Sequence, residues 1–350
     1  MDITPIEVEG YEKVAKCTDE ESGLRALISV HNTTLGPALG GLRLWPYASF
    51  DDALTDVLRL SRGMTFKSAV ARTGLGGGKS VIMADPEMKT EALFEAMGKF
   101  VDSFGGKYTT AEDVNVGIPD LLAAKRHTKY VAGLSRADGG SGNPSPYTAK
   151  GTYEGLRATA IEAFGNDDLE GKHVVIQGPG SVGLPLGHFL KEVGAKITVS
   201  DINQENIDRA IEELGAEVVA PEKVYDVDCD IFAPCALGAI LNDETIPRLK
   251  CKAIAGASNN QLHDEKRHAV MLKDRGIAYA PDYVINAGGI INVSVEFHEG
   301  GYDEVVAMEK INNIFFALQE IYETARSRDI TTHDAAQEVA EANLAAGTAR

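Results

Sequence analysis

The sequence predicts an α/β protein of two domains, the second built on a doubly wound parallel sheet. Three observations carry that expectation. The chain has 350 residues, about the length of two ordinary domains. Short apolar runs of strand character alternate with amphipathic helical patterns along most of it, as in α/β architectures. In the second half the strand-like runs become continuously apolar, as parallel strands buried on both faces do.

Composition narrows the class. With 44% hydrophobic and 25% charged residues, the chain matches globular proteins rather than disordered, collagen-like or coiled-coil ones. Its 34 basic and 52 acidic residues leave a net charge of −18. That charge repels a polyanion and no run of Lys and Arg offsets it, so no nucleic-acid partner is expected. Cys17, Cys229, Cys235 and Cys251 form no CxxC pair and read as reduced thiols. The opening MDITPIEVEGYEK is acidic and lacks the apolar centre of a signal peptide. No apolar run approaches the roughly 20 residues that cross a bilayer. The expectation is a cytoplasmic protein without a membrane partner.

Taken in order, Ala26–Val30 (ALISV) reads as a strand, followed by a long loop rich in glycine. Ser49 caps a helix with Ala53, Leu54, Val57 and Leu58 on one face. Ser80–Ala84 (SVIMA) is a strand closed by Asp85-Pro86. Thr90 caps a helix that turns Leu93, Phe94, Met97, Phe100 and Val101 inward and stops at Gly105-Gly106. The cluster Gly139, Gly140, Gly142, Pro144 and Pro146 is the expected hinge between domains. Beyond it come a helix over 148–164, the strand His173–Gln177 (HVVIQ), a glycine-rich turn and a helix. The strand Lys196–Ser200 (KITVS), a helix over 203–214 and short strands at DIFAPCA and AIAGA follow. In the tail, Val305, Met308, Ile311, Phe315, Leu318, Ile321 and Tyr322 fit one face of a long helix.

The turn after HVVIQ reads Gly178-Pro179-Gly180-Ser181-Val182-Gly183, a GxGxxG pattern between a strand and a helix. Gly178 permits the tight turn, Gly180 lets backbone approach a pyrophosphate, and Gly183 lets the helix pack on the strand. The phosphates would rest on the helix N-terminus, where unpaired N–H groups and the dipole favour anions. The next strand ends at Asp201, where a carboxylate accepts hydrogen bonds from a ribose diol. A 2′-phosphate would meet that negative charge, and the following residue is Ile202, not Arg. The pattern predicts a Rossmann domain that binds NAD rather than NADP.

Two lysines in the first third sit among residues that should be buried. Lys67 lies in Gly63-Met64-Thr65-Phe66-Lys67-Ser68-Ala69-Val70, and Lys79 follows Gly76-Gly77-Gly78 directly before SVIMA. Side-chain-free glycines give a ligand access to the ammonium group, and desolvation beside a second lysine makes a lysine a base near neutral pH. A flexible turn ending in a surface lysine is the competing reading. A phosphate-binding GxxxxGK[ST] loop is not met, because residue 73 is Thr. Asp113, after a short strand at Lys107-Tyr108, is placed either for proton transfer or to cap a helix. His263 and His268 have the wrong spacing for a shared metal face and read as solvated. No metal site and no Ser-His-Asp pattern is expected.

With these residues assembled, the chain resembles the amino-acid dehydrogenase superfamily of glutamate, leucine, valine and phenylalanine dehydrogenases. The resemblance runs over nearly the whole chain, on GPALGGLR (36–43), GMTFK (63–67), GLGGGKS (74–80), TAEDVN (110–115), GNPSPYTAKG (142–151) and PDYVINAGGIINV (281–293). The GNPSP segment looks most like the leucine/valine branch. The resemblance implies an N-terminal α/β catalytic and oligomerisation domain over 1–140, completed by a C-terminal helix over 328–350. An NAD-binding domain over 141–327 lies between, with the active site in the cleft.

Carried over by motif, Lys67 pairs with the substrate carboxylate, helped by backbone at Gly40 and Gly41. Lys79 is the catalytic lysine and Asp113 its acid/base partner. Leu39, Ala111, Ile290 and Val293 line the side-chain pocket; none can pair with the γ-carboxylate of glutamate. Thr148, Asn260 and Asn286 hold the nicotinamide end of the cofactor or the substrate carboxylate, and Ala236 joins Gly178, Gly180, Ser181, Val182, Gly183, Asp201 and Ile202 at the cofactor. The resemblance thus implies NAD-linked oxidative deamination of leucine, isoleucine or valine to a 2-oxo acid and ammonia, by a homo-oligomer between dimer and octamer. Two departures stand out. Asn115 replaces the Gly usual in leucine and phenylalanine enzymes and is similar to a tryptophan-active relative, and GGLR replaces GGTR. Alternatives are a phenylalanine or tryptophan dehydrogenase, a 2-hydroxy-acid dehydrogenase (which would want a catalytic His and an Arg), and a non-catalytic NAD-binding regulatory protein.

Overall fold

The computed structural model describes residues 1–347, which divide into two compact units. The first comprises Met1–Asn143, Val293–Tyr302 and the chain from Ala340 onward; the second comprises Pro144–Asn292 and Asp303–Val339.

The first unit holds strands β1 (Asp2–Ile6), β2 (Lys13–Asp19), β3 (Leu24–Asn32), β4 (Ala38–Trp45), β5 (Gly76–Met83) and β6 (Tyr108–Glu112). Its helices are α1 (Phe50–Val70), α2 (Glu91–Asp102) and α3 (Ile118–Lys125). The strands form one mixed sheet in the order β1-β2-β3-β5-β4-β6. Pairing is antiparallel from β1 through β3 to β5 and parallel from β5 through β4 to β6. Alternation along the strands sorts side chains between two faces. Leu27 and Val81 pack with Ala53 and Val57 of α1. Ile28, Leu42 and Ile82 pack with Phe94 and Phe100 of α2 and Leu121 of α3. Ser49 starts α1 as expected, its hydroxyl accepting the Asp52 N–H at 3.1 Å. Thr90 does the same for Leu93 at the head of α2.

Three stretches differ from the sequence reading. The glycine-rich segment after ALISV is not a loop but strand β4, and Gly76–Gly78 are not a turn before a strand but the first residues of β5. The reason is close packing: a Cβ on Gly77 would overlap Thr65 of α1, and one on Gly78 would fall 2.6 Å from the Tyr108 ring. Strands β1 and β2 carry too little apolar alternation to announce themselves; β1 is exposed or half-buried throughout.

The second unit contains α4 (Ser145–Phe164), β7 (His173–Gln177), α5 (Gly183–Glu192), β8 (Lys196–Ser200), α6 (Gln204–Leu214), β9 (Glu217–Val218), β10 (Ile231–Pro234) and β11 (Ala253–Ile254). α7 (Glu265–Asp274), β12 (Ala278–Tyr279) and α8 (Asp282–Ile285) follow. Next come α9 (Gly288–Ser294), which runs into the first unit, and α10 (Glu304–Arg328). The sheet is parallel throughout, in the doubly wound order β12-β11-β10-β7-β8-β9. The chain leaves β7 to one side and returns to β10 on the other, so the loops after β7 and β10 flank the switch point, where such sheets bind ligands.

On α10, Ile311, Leu318, Ile321 and Tyr322 are buried, but Val305 in the first turn is 65% exposed. The helix expected over 328–350 is α11 (Thr332–Ala346); residues 348–350 lie outside the described ones. Val293–Tyr302, expected with the second domain, groups with the first unit. His268 is not solvated but buried, its Nδ1 accepting the Asp264 N–H at 2.8 Å. No helix among the described residues is long and apolar enough to cross a membrane.

Candidate active site

In the first unit, the face of the sheet toward α1 gathers residues from three strands. Leu39, Gly41 and Arg43 alternate along β4, Lys79 precedes Val81 on β5, and Ala111 and Asp113 lie along and just beyond β6. Register sets Leu39 beside Thr109 and Gly41 beside Ala111, and Arg43 beside Val81. A Cβ on Gly41 would fall 2.7 Å from the Asp113 Cβ, so glycine there makes room for the Asp113 side chain.

Lys79 is 5% exposed, and its Nζ stands 2.9 Å from Asp113 Oδ2. Burial pushes the lysine below its ordinary pKa, against the pull of Asp113 toward the charged form. Burial pushes Asp113 upward, but Lys79 and Arg43 together overcome it and hold the carboxyl below the usual range. The result is a carboxylate beside a lysine that gives up its proton readily. Arg43, absent from the sequence-based site, donates from Nε to Asp113 Oδ2 at 3.0 Å. It stood in the GPALGGLR motif; reading that motif as a strand would have put it on the face of Gly41. Lys67 is half-buried in the last turn of α1.

Ala111 and Val293 meet around Gly133, whose ideal Cβ position lies 3.8 Å from a methyl of each. Gly133 has φ +74 and was not anticipated; neither was Glu296. The Glu296 carboxylate accepts from the Gly133 N–H at 3.1 Å and from the Ser141 N–H at 2.6 Å, tying down the loop between them. Ile290 belongs to the second unit. Asn115 has φ +59, a conformation that favours Gly and Asn.

In the second unit, Gly178 has φ +91, and a Cβ there would fall 2.7 Å from that of Ala236. A Cβ on Gly183 would overlap the Gly178 carbonyl, whereas Gly180 has nothing nearer its Cβ position than Asn206 Nδ2 at 3.9 Å. Two glycines therefore serve the turn and the packing, and the third faces open space ahead of the first turn of α5. Val182 caps that helix and Ser181 is exposed. Asp201 is half-buried at the end of β8, accepting the Asn203 N–H and the Asn206 amide at 2.9 Å each; a carboxylate retains acceptor capacity beyond two bonds. Ile202 beside it is 91% exposed. These residues fit a dinucleotide: a glycine opening at a helix N-terminus and an acid at the adjacent strand end.

The asparagines are built into the loops after β11 and α8. The Asn286 amide donates to the Ala257 carbonyl at 3.1 Å and to Asn259 Oδ1 at 2.6 Å. Asn260, at φ +51, gives its N–H to Asp282 and its carbonyl to Ala239 N–H. Thr148 Oγ1 donates to the Pro144 carbonyl at 3.1 Å. Among the described residues no group of three or more His, Cys, Asp or Glu could hold a metal.

Comparison with known proteins bears on this geometry. Residues 11–133 match the family model described as Glu/Leu/Phe/Val dehydrogenase, dimerisation domain. Residues 202–349 match that of Glutamate/Leucine/Phenylalanine/Valine dehydrogenase. The chain is 54% identical over 335 residues to a leucine dehydrogenase of Thermoactinomyces intermedius, covering 95% of this chain and 91% of that one. It is 52% identical over 340 residues to a leucine dehydrogenase of Geobacillus stearothermophilus, covering 97% and 92%. The crystal structure of an L-tryptophan dehydrogenase from Nostoc punctiforme aligns with a TM-score of 0.88 at 43% identity, over 97% of both chains.

Proposed function

We propose, from the premise that this chain belongs to the Glu/Leu/Phe/Val dehydrogenase family, that it catalyses the reversible NAD-linked oxidative deamination of a branched-chain L-amino acid. The observation that carries the reading is the pair of buried Lys79 and half-buried Asp113 on a face that sets apolar Leu39 and Ala111 beside them, with Arg43 on that face committed to Asp56 and Asp113. An apolar wall leaves a γ-carboxylate desolvated and unpaired, so glutamate is rejected. The naming of relatives at 54% and 52% identity as leucine dehydrogenases supports the branched-chain choice. Asn115 does not argue for a tryptophan substrate: its positive φ explains why Gly and Asn alternate at that position.

The residues divide the work. Lys67 holds the substrate carboxylate, with the Gly40–Gly41 backbone beside it. Asp113, ionised, takes a proton from the substrate ammonium group and returns it to the departing ammonia. NAD, held by the Gly178–Gly183 turn, Asp201, Ile202, Ala236, Thr148, Asn260 and Asn286, supplies the hydride acceptor when bound. Lys79, neutral, withdraws a proton from the water that attacks the imine carbon and then stabilises the developing oxygen charge. Leu39, Ala111 and Val293 of the first unit take the side chain. The name of the matching dimerisation domain supports a homo-oligomer, and dependence on an intracellular cofactor pool supports a cytoplasmic setting.

Reduction of NAD against a panel of L-amino acids tests the reading. Highest kcat/KM is expected for leucine, isoleucine or valine, with ammonia required in the reverse direction. Preference for phenylalanine or tryptophan would overturn the substrate class, and turnover without ammonia would overturn the reaction.

A further inference from the structure

Arg43 is held from two sides. Its NH1 donates to Asp56 Oδ2 at 2.9 Å, and that oxygen also accepts the Tyr47 hydroxyl at 2.6 Å. Asp56 projects from α1, so helix and strand together fix the guanidinium. Its Nε then reaches Asp113 Oδ2, the same oxygen that Lys79 approaches. The other oxygen, Oδ1, takes no hydrogen bond among the described residues. A carboxylate with both oxygens free rotates and offers either; one whose Oδ2 is held by two N–H donors offers only the second. The planar fork of arginine spans two carboxylates in a way an ammonium point charge does not.

We propose that Arg43 is a positioning residue for the deamination: anchored by Asp56 and Tyr47, it pins Asp113 Oδ2 together with Lys79 and thereby presents Oδ1 to the amino group of the substrate. The proposal rests on the reading in which Asp113 exchanges protons with that group.

The same geometry has an electrostatic signature. The charged and titratable groups around Asp113 are Lys79 from β5, Arg43 and Tyr47 from β4 and the chain after it, Asp56 from α1, and Tyr108 on the opposite face of β6. The Arg43 charge lowers the proton affinity of Asp113 and, beside burial as the main cause, that of Lys79. Removing it raises both, and because both groups act deprotonated, the rise of the pH–rate profile moves to higher pH. Loss of packing alone lowers the rate without moving that rise.

The test is the pH dependence of L-leucine oxidation by the full chain with NAD, for the unmodified protein and for Arg43→Gln, Arg43→Lys, Asp56→Asn and Asp113→Asn. Arg43→Gln is expected to lower kcat about tenfold or more and to shift the rise of the profile upward by about half a pH unit or more, with NAD affinity unchanged. Arg43→Lys should return the rise toward its original position while kcat stays low, because it restores the charge but not the fork. An unmoved rise in Arg43→Gln overturns the proposal. If that variant does not fold, Asp56→Asn decides: a fall in kcat with unchanged NAD affinity supports the anchoring, and full kcat overturns it. Full activity in Asp113→Asn would overturn the reading of the site and the proposal with it. An unmoved rise in Arg43→Gln beside an inactive Asp113→Asn overturns the proposal alone.

Discussion

The side-chain amide of Asn115 donates to the main-chain carbonyl of Leu44 at 3.0 Å, from a backbone held at φ +59. The bond closes the turn that follows Asp113, in which the Val116 N–H returns to the Asp113 carbonyl at 3.0 Å. Asn115 thus supports the backbone that carries Asp113.

Asn115→Gly is therefore expected to leave the preference among amino acids unchanged, since glycine adopts the same φ without strain. Asn115→Ala should cost about 1–2 kcal/mol, the penalty of a left-handed alanine, with the lost hydrogen bond adding to it. Thermal unfolding reads the second effect, and the ratio of kcat/KM for leucine over tryptophan reads the first. A changed ratio in Asn115→Gly would return Asn115 to the specificity determinants.

Lys79→Ala should lower kcat by several orders of magnitude while NAD still binds, because the proton acceptor is gone. Lys67→Ala should mainly raise KM, since a partner for the carboxylate contributes ground-state binding. The sign of the pH effect follows from burial. It places Lys79 below the ordinary lysine pKa, and in the proposed reaction the neutral form is the active one, so oxidation should rise with pH and level off below that ordinary value. A rate that falls as Lys79 loses its proton would reverse its role.

Asp201 should impose preference for NAD over NADP. Its carboxylate stands at the end of β8, with exposed Ile202 next to it, and would oppose a 2′-phosphate. Asp201→Ser combined with Ile202→Arg is expected to relax the preference. Equal use of both cofactors by the unmodified protein would remove Asp201 from that role.

Ala111→Gly should open the space between Ala111, Val293 and Gly133 and shift preference toward phenylalanine. One methyl group in an apolar pocket is worth about 1–3 kcal/mol, so the ratio of kcat/KM for phenylalanine over leucine should rise roughly tenfold or more. Glu296→Gln should weaken the two main-chain contacts that hold the Gly133 loop and blur the same ratio. An unchanged ratio in Ala111→Gly would take Ala111 out of the pocket.

The sequence by itself determined what depends on neighbours along the chain. The helix starts at Ser49 and Thr90, the strands HVVIQ and KITVS, and the glycine turn ending at Gly183 are each set by a few adjacent residues. They stand where local caps, apolar runs and turn chemistry put them. Lys79 and Asp113 were legible one at a time, as residues of unusual setting, but not as a pair. Only the tertiary structure joined them with Arg43, because the three come from strands far apart in sequence whose register and order no local pattern encodes. It alone also turned the glycines before Lys79 from a flexible approach into a packed strand. There the absent side chains make room for Thr65 and Tyr108, and a residue required by close contact with another element gives no local sign of that contact.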